Sequence, residues 1–319
     1  MAPTWRRGMA GDRGQTLSLR GRVLNAALTH VEKPALARIE TVEEARQSFR
    51  RKARLFFRSP RGATYTPVNI VRDLPGLRIT GPETGTAHLL YFHGGGYIMG
   101  GLDTHKTLVA QMAIRCGACA WMTSYRLAPE HPFPAAFDDG LAAYRGLLER
   151  GIAPDQIAIG GDSAGGGLAL AVVAAAAAQN LPLPRACFAF SPWTDLTFSG
   201  ASVLANAKTE VMLPIARRFE ISDYYLQGQS ATDPQASPLF GDYPVDVPTF
   251  LTASATEALL DDTRRMADKL RQIGAPVHEV IEPNLPHAWP IFGRMLPEAM
   301  GTIDTLARWL VDQGWDGKR

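Results

Sequence analysis

The chain has 319 residues, of which 46% are hydrophobic and 20% charged, with a formal net charge of +2. That length suits one large α/β domain or two small ones, and the composition is ordinary for a soluble globular enzyme. The near-neutral balance gives no overall electrostatic case for nucleic acid as a partner.

The opening stretch, MAPTWRRGMAGDRG, carries charges but no apolar h-region, so no secretory signal is expected and a cytoplasmic location follows. Residues 1–60 hold thirteen Lys/Arg against five Asp/Glu. A solvated helix face is the ordinary reading of such a segment, and contact with anionic lipid or nucleic acid is the alternative. From Leu17 to Phe57 the pattern is helical, and Thr41 followed by Glu44 has the form of a capping box. After SPRG the texture changes to short apolar runs alternating with helical stretches. Strands are expected at 88–93, 119–125, 156–161, 185–191, 249–254 and 278–283. Helices are expected at 104–115, 137–150, 164–179, 258–273 and 297–313. This alternation predicts a mostly parallel sheet covered on both faces, with its chemistry at the carboxyl ends of the strands. The N-terminal helices and Ala201–Asp233, which contains the helical-looking EVMLPIARRFEISDYYLQG, fall outside it and are expected to cap those strand ends.

The apolar run from Ala164 to Ala178 is too short to span a bilayer and reads as a buried helix, so no integral membrane association is expected. Cys116, Cys119 and Cys187 make no disulfide framework. The C-x-x-C spacing of the first two lacks a second pair for zinc, so all three read as core residues.

GGDSAGGG, Gly160 to Gly167, follows one apolar run and opens the Gly/Ala-rich helix. A phosphate loop would require G-x-x-x-x-G-K-[ST], and no lysine follows; G-x-G-x-x-G is absent too. Gly161 to Gly165 instead match G-x-S-x-G, the turn that presents a nucleophilic serine, here Ser163, between strand and helix. Upstream, His93-Gly94-Gly95-Gly96 follows the strand LLYF directly. Glycines there let backbone N–H groups approach a substrate carbonyl, which assigns an oxyanion hole to the N–H groups of Gly94, Gly95 and Ala164. His93 is assigned to holding that loop. A serine hydroxyl needs a base. Among seven histidines, His287 in EPNLPHAWPIF lies just after the last strand, where the chain order Ser…acid…His requires it. For the acid, Glu257 comes first past the strand PTFLTASA. It is preferred over Asp261 and Asp262, which fall in the first turn of the next helix.

With these motifs in place, the chain resembles the hormone-sensitive lipase-like family of bacterial esterases, the GDSAG type, within the α/β-hydrolase fold. The resemblance rests on HGGGYIMGGLDTH, YRLAPEHPFPAAFDD, GDSAGGGLALA, SPWTDLT and PHAW, which span residues 88 to 290 in family order. It implies hydrolysis of short- to medium-chain carboxylic esters through an acyl-enzyme, with no metal or organic cofactor. It also implies a role for Asp162 in steadying the active-site loops. The family usually has an aspartate as triad acid where this chain has TEALLDD; some members use glutamate, which supports Glu257. The fold implies about eight strands, one antiparallel at an edge, with the two not found by pattern placed in Pro67–Leu77.

The domain division expected is an N-terminal cap segment at 1–58, a catalytic domain at 59–200 and 234–319, and a second cap segment at 201–233. Pocket walls are assigned to Tyr97, Met99, Trp193, Met212, Leu213, Phe219, Tyr224 and Trp289, large apolar residues beside motifs or in the cap. The partner expected is a small-molecule ester, and a homodimer is the assembly entertained. Amidase or deacetylase activity and lactone hydrolysis use the same machinery and stay open. A non-catalytic receptor, as in plant relatives that lost the histidine, is disfavoured because His287 is present.

Overall fold

The computed structural model describes residues 17–315. The opening stretch read for a targeting signal, and with it the start of the 1–58 segment, lies outside the described residues.

Eight strands form one sheet: β1 Thr64–Val71, β2 Leu74–Thr80, β3 His88–Phe92, β4 Cys119–Thr123, β5 Ile157–Asp162, β6 Ala186–Phe190, β7 Thr249–Ser254 and β8 Val277–Glu282, in the spatial order β1-β2-β4-β3-β5-β6-β7-β8. All neighbours from β4 to β8 run parallel, while β2 is antiparallel to both β1 and β4. The reversed strand is therefore one place in from the edge, not at the edge as expected. A short turn returns the chain from β1 directly into β2, which puts β1 outermost. β1 is largely exposed and carries Pro67, which an edge strand tolerates because one side of its ladder is unpaired.

The five inner strands β3 to β7 are almost wholly buried on both faces, which is why they read as continuous apolar runs. Alternation sends Leu90 and Phe92 to one core and Leu89 and Tyr91 to the other. The first core is closed by α5 (Ala135–Glu149), α6 (Ala164–Ala178) and α9 (Leu260–Gln272), through residues such as Leu141, Leu168 and Met266. The second is closed by α4 (Leu102–Cys116) and α10 (Pro297–Asp312), through Leu108, Met112, Ile303 and Leu306. The cysteines are buried without a disulfide among the described residues, and burial pushes the Cys119 thiol to about 11 and that of Cys187 to about 12. No helix among the described residues is long and apolar enough to cross a membrane.

Before the sheet come α1 (Leu19–Ala27), a wide turn, α2 (Lys33–Arg38) and α3 (Val42–Phe56). Thr41 and Glu44 form the capping box read from the sequence. Ser18 caps α1 and also bonds Glu298 of α10, at 2.8 Å from its N–H and 3.1 Å from its hydroxyl. Arg46 of α3 reaches the loops after β3 and β4, donating to the Ile98 carbonyl at 2.7 Å and the Ala128 carbonyl at 2.8 Å. In the second outlying segment only α7 (Ser202–Ala205) and α8 (Arg218–Leu226), with a single turn before α8, are helical. The expected helix fails at its start because the Glu210 carboxylate accepts the Met212 and Leu213 N–H groups, at 2.7 and 3.1 Å, and Pro214 follows. The two segments bind each other: Lys33 Nζ meets the Ala207 and Glu210 carbonyls at 3.1 and 2.6 Å, and Arg217 donates to the Leu36 carbonyl at 3.0 Å.

α6 lies very close to β3. A Cβ on Gly165 would sit 2.1 Å from the Phe92 carbonyl oxygen, and one on Gly161 would sit 2.4 Å from the same atom. Gly165→Ala is therefore expected to destabilise the protein by about 3 kcal/mol, the upper range for overpacking, because backbone and not a side chain must yield. Guanidinium unfolding of the variant against the parent measures this; a change within experimental error would refute the backbone clash.

Candidate active site

Ser163 is the one residue between β5 and α6, with φ 53° and ψ −123°, a conformation that costs about 1–3 kcal/mol for a side chain with a Cβ. Three backbone bonds hold it there: its N–H donates to the Phe190 carbonyl at 2.9 Å, and its own carbonyl accepts from Trp193 at 2.9 Å and Gly167 at 3.1 Å. Its side chain faces a cavity of about 180 Å³ whose lining is overwhelmingly apolar. His287 lines the same cavity, on the loop after β8.

Behind His287 stands Glu257, on the loop after β7, with Oε2 3.6 Å from His287 Nδ1 and both side chains almost fully buried. That separation exceeds a formed hydrogen bond, and such contacts commonly shorten only when substrate is bound. Burial pushes the Glu257 carboxyl above its ordinary value, and His287 pulls it back only in part. For His287 burial disfavours the imidazolium, yet the Glu257 carboxylate outweighs it and the net direction is upward.

Asp261 and Asp262 lie in the first turn of α9, as read from the sequence, and serve other partners. Asp262 Oδ2 accepts the Thr194 and Asp195 N–H groups at 2.8 and 2.9 Å, and burial pushes its carboxyl up to about 7. Asp261 Oδ2 accepts the Ser202 N–H at 2.8 Å.

Asp162, beside the serine, is buried and accepts from Tyr91 at 2.7 Å and from the Gly94 N–H at 3.0 Å, while His105 Nε2 lies 3.4 Å away. Burial alone would raise its pKa; nearby His105 and the Tyr91 hydroxyl outweigh it and hold the carboxylate ionised. The bond from Gly94 corrects the sequence assignment. An N–H already donated to a buried carboxylate cannot also meet an oxyanion, so Gly94 leaves the expected hole. Gly95 and Gly96, with φ 119° and 63°, donate to no backbone carbonyl or side chain among the described residues, and Ala164 opens α6 where the first N–H groups have no helical partner. His93 is buried, stacks on Tyr125 with ring centroids 4.2 Å apart, and has Nδ1 2.8 Å from the Gly94 carbonyl. Burial, with His105 adjacent, pushes His93 down to about 3.

Of the eight wall residues read from the sequence, Met99, Trp193, Met212 and Leu213 line the cavity. The other four do not. Tyr97 is buried and stacks on Tyr225, with centroids 3.9 Å apart. Trp289 is buried in a separate core, its Nε1 donating to Thr302 at 2.8 Å. Phe219 is exposed beneath the Arg218 guanidinium, and Tyr224 packs against the main core. Aromatic character near a motif marks core as readily as pocket. Leu36 and Phe49 from the N-terminal segment and Ile215 and Ile221 from the second were missed.

Two further residues were also missed. Ser191 Oγ donates to Glu257 Oε2 at 2.8 Å and accepts the Ala288 N–H at 3.0 Å, which ties the acid's loop to the histidine's. Its only signal was its place at the head of SPWTDLT. Glu210, 1% exposed, accepts the Ala258 N–H at 2.9 Å besides those of Met212 and Leu213, joining the cavity wall to the loop of Glu257. Nothing local announced it. Among the described residues no group of three or more His, Cys, Asp or Glu is placed to hold a metal ion.

A family model described as alpha/beta hydrolase fold matches residues 89–291. An acetyl-hydrolase of Streptomyces hygroscopicus is 37% identical over 222 residues, 70% of this chain and 74% of that one. An ethyl acetate hydrolase of Pseudomonas putida is 33% identical over 224 residues, 68% of this chain and 70% of that one. The crystal structure of an esterase from the bacterial hormone-sensitive lipase family superposes with a TM-score of 0.88 at 31% identity, covering 94% of this chain and 99% of the other.

A base must be neutral to accept a proton, so a raised imidazole pKa moves the acid limb of turnover upward. The kcat/KM profile on a p-nitrophenyl ester is expected to fall on the acid side with an apparent pKa above the ordinary 6.5 of histidine. In Glu257→Gln the opposing charge is gone and the limb should drop below that value; an unmoved limb would exclude the pairing.

Proposed function

The chain belongs to the α/β-hydrolase family, in its hormone-sensitive-lipase-like esterase branch, and from that premise we propose that Ser163, His287 and Glu257 form the triad of a carboxylesterase for small esters. The observation that carries this reading is the serine held at positive φ at the strand–helix turn, sharing an apolar cavity with a histidine backed by a buried glutamate. His287 takes the Ser163 proton as the hydroxyl oxygen attacks the ester carbonyl. The developing oxyanion meets the N–H groups of Gly95, Gly96 and Ala164, with the dipole of α6 behind the last. His287 then protonates the departing alcohol. A water deprotonated by the same histidine opens the acyl-enzyme and releases the acid. Glu257 holds the imidazole in one tautomer and stabilises the imidazolium.

His93 and Asp162 hold the glycine loop in place, Asp162 from the cavity wall itself. Segments 1–58 and 201–233 act as a cap over a catalytic domain formed by 59–200 and 234–319; support comes from residues of both segments in the cavity wall. A cavity this small and apolar suits short acyl and alcohol groups, in keeping with the acetyl and ethyl acetate activities named for the two relatives. Buried cysteines without a disulfide suit a reducing cytoplasm.

Ser163→Ala is expected to keep its circular dichroism and melting transition while losing more than about a thousandfold in turnover and all labelling by a fluorophosphonate. Retained hydrolysis would refute the nucleophile. Glu257→Ala should lose far more activity than Asp261→Ala, and the reverse ranking would reassign the acid. Across p-nitrophenyl esters, acetate to butyrate should exceed palmitate by at least about a hundredfold in kcat/KM, since about 180 Å³ of apolar space leaves most of a long chain outside it. Equal rates would place the acyl group outside this cavity.

A further inference from the structure

A second cleft lies away from Ser163, between the turn before β1, the C-terminal half of α4 and the start of α10. It encloses about 350 Å³ and is lined by Arg61, Arg115, Arg294, Gln111 and Asp304, with Pro60, Ile114 and Met300 completing its walls. Three exposed arginines from three separate chain segments thus line one cleft together with one carboxylate. Asp304 is paired with Arg115. Among the described residues, Arg61 and Arg294 have no carboxylate within ion-pair distance and no hydrogen-bond acceptor. Exposed guanidiniums are screened by water and salt when no anion is bound, and their planar forked donors match the oxygens of a phosphate.

Gln111 adds an observation independent of the charges. It is 4% exposed, lies one helical turn before Arg115, and its Oε1 is buried without a hydrogen-bond partner. A buried amide oxygen left alone is costly. Oε1 is sealed from solvent. A rotation of the amide would present it to a phosphate that keeps one hydroxyl and so supplies the missing donor. The charged oxygens take the guanidinium N–H groups, and a carboxylate supplies no donor.

The cleft also touches the segment that leads from His287. Gly293, at φ 48° and ψ −128°, packs on the Gln111 amide so closely that a Cβ there would sit 2.6 Å from Nε2. Arg294 follows directly, and Ile291 of the same turn lines the cavity of Ser163.

We propose that the cleft of Arg61, Arg115, Arg294 and Gln111 binds a small phosphate-bearing anion, and that the bound anion braces the segment from His287 to Met295. The first half stands whether or not the triad assignment holds; the second rests on it. Calorimetry at constant ionic strength tests the site, with inorganic phosphate, glycerol 3-phosphate and succinate as probes. Saturable binding of inorganic phosphate is expected, weakened about tenfold or more in Arg61→Ala and Arg294→Ala, each removing a charge-assisted pair. Gln111→Leu should lose the preference for phosphate over succinate. No saturable phosphate binding, binding unchanged in both arginine variants, or equal affinity for succinate in the parent would overturn the site. Glycerol 3-phosphate binding tighter than inorganic phosphate identifies a phosphomonoester as the ligand; the reverse order identifies the free ion. The second half is read by kcat and KM on p-nitrophenyl butyrate at saturating phosphate. A changed kcat that disappears in Arg294→Ala supports it, and an unchanged kcat with phosphate bound overturns the coupling while leaving the site.

Discussion

The close approach of α6 to β3 governs the geometry of the site. Because Gly161 and Gly165 carry no side chain, the helix backbone rests against the Phe92 carbonyl. That contact sets where the turn at Ser163 sits relative to the loop beginning at His93. The Phe190 and Trp193 backbone bonds then hold Ser163 in a conformation it would not adopt alone. The glycines around the serine are thus a packing requirement, and the turn they permit is held by backbone bonds on both sides.

A second regularity is the use of buried carboxylates to fix backbone. Asp162 takes the Gly94 N–H, Asp262 takes those of Thr194 and Asp195, and Glu210 takes those of Met212, Leu213 and Ala258. These donors offset part of the burial cost of the acid, though at Asp262 burial still prevails and holds the carboxyl up at about 7. Glu257 differs from these three. It accepts no backbone N–H: Oε1, like Asp262 Oδ1, has no partner, Oε2 receives only the Ser191 hydroxyl, and the remaining neighbour is His287. A carboxylate so sparsely bonded is left to respond to the charge on the imidazole. This environment, more than its place in sequence, separates it from Asp261 and Asp262.

Much of the fold was legible because buried parallel strands are apolar on both faces and are bounded by glycine, proline or a charge. Six strands and five helices come within a few residues of their observed limits on that signal alone. β1 and β2 gave no such signal, since β1 is half solvated and interrupted by Pro67; the resemblance, not the pattern, placed them. Ser163, Glu257 and His287 could be picked by type, order and position at strand ends. Gly94 could not be separated from Gly95 and Gly96, because which N–H is free depends on a carboxylate 68 residues away. The cavity wall was half legible for the same reason: whether Tyr97 faces substrate or Tyr225 is decided by packing between distant segments.

The ties between the two outlying segments have an evolutionary consequence. Lys33 and Arg217 each donate to carbonyls of the other segment, and Glu210 carries the connection on to the loop of Glu257. Each of these carbonyl acceptors is a main-chain oxygen, present whatever residue stands there, so the ties depend on the two cations and on where the facing backbone runs. A wall residue such as Leu36 or Ile215 can therefore change in one segment without a matching change in the other, provided both cations stay. A chimera that transplants one segment keeps the join where it keeps Lys33 or Arg217 and the path of the backbone that each meets.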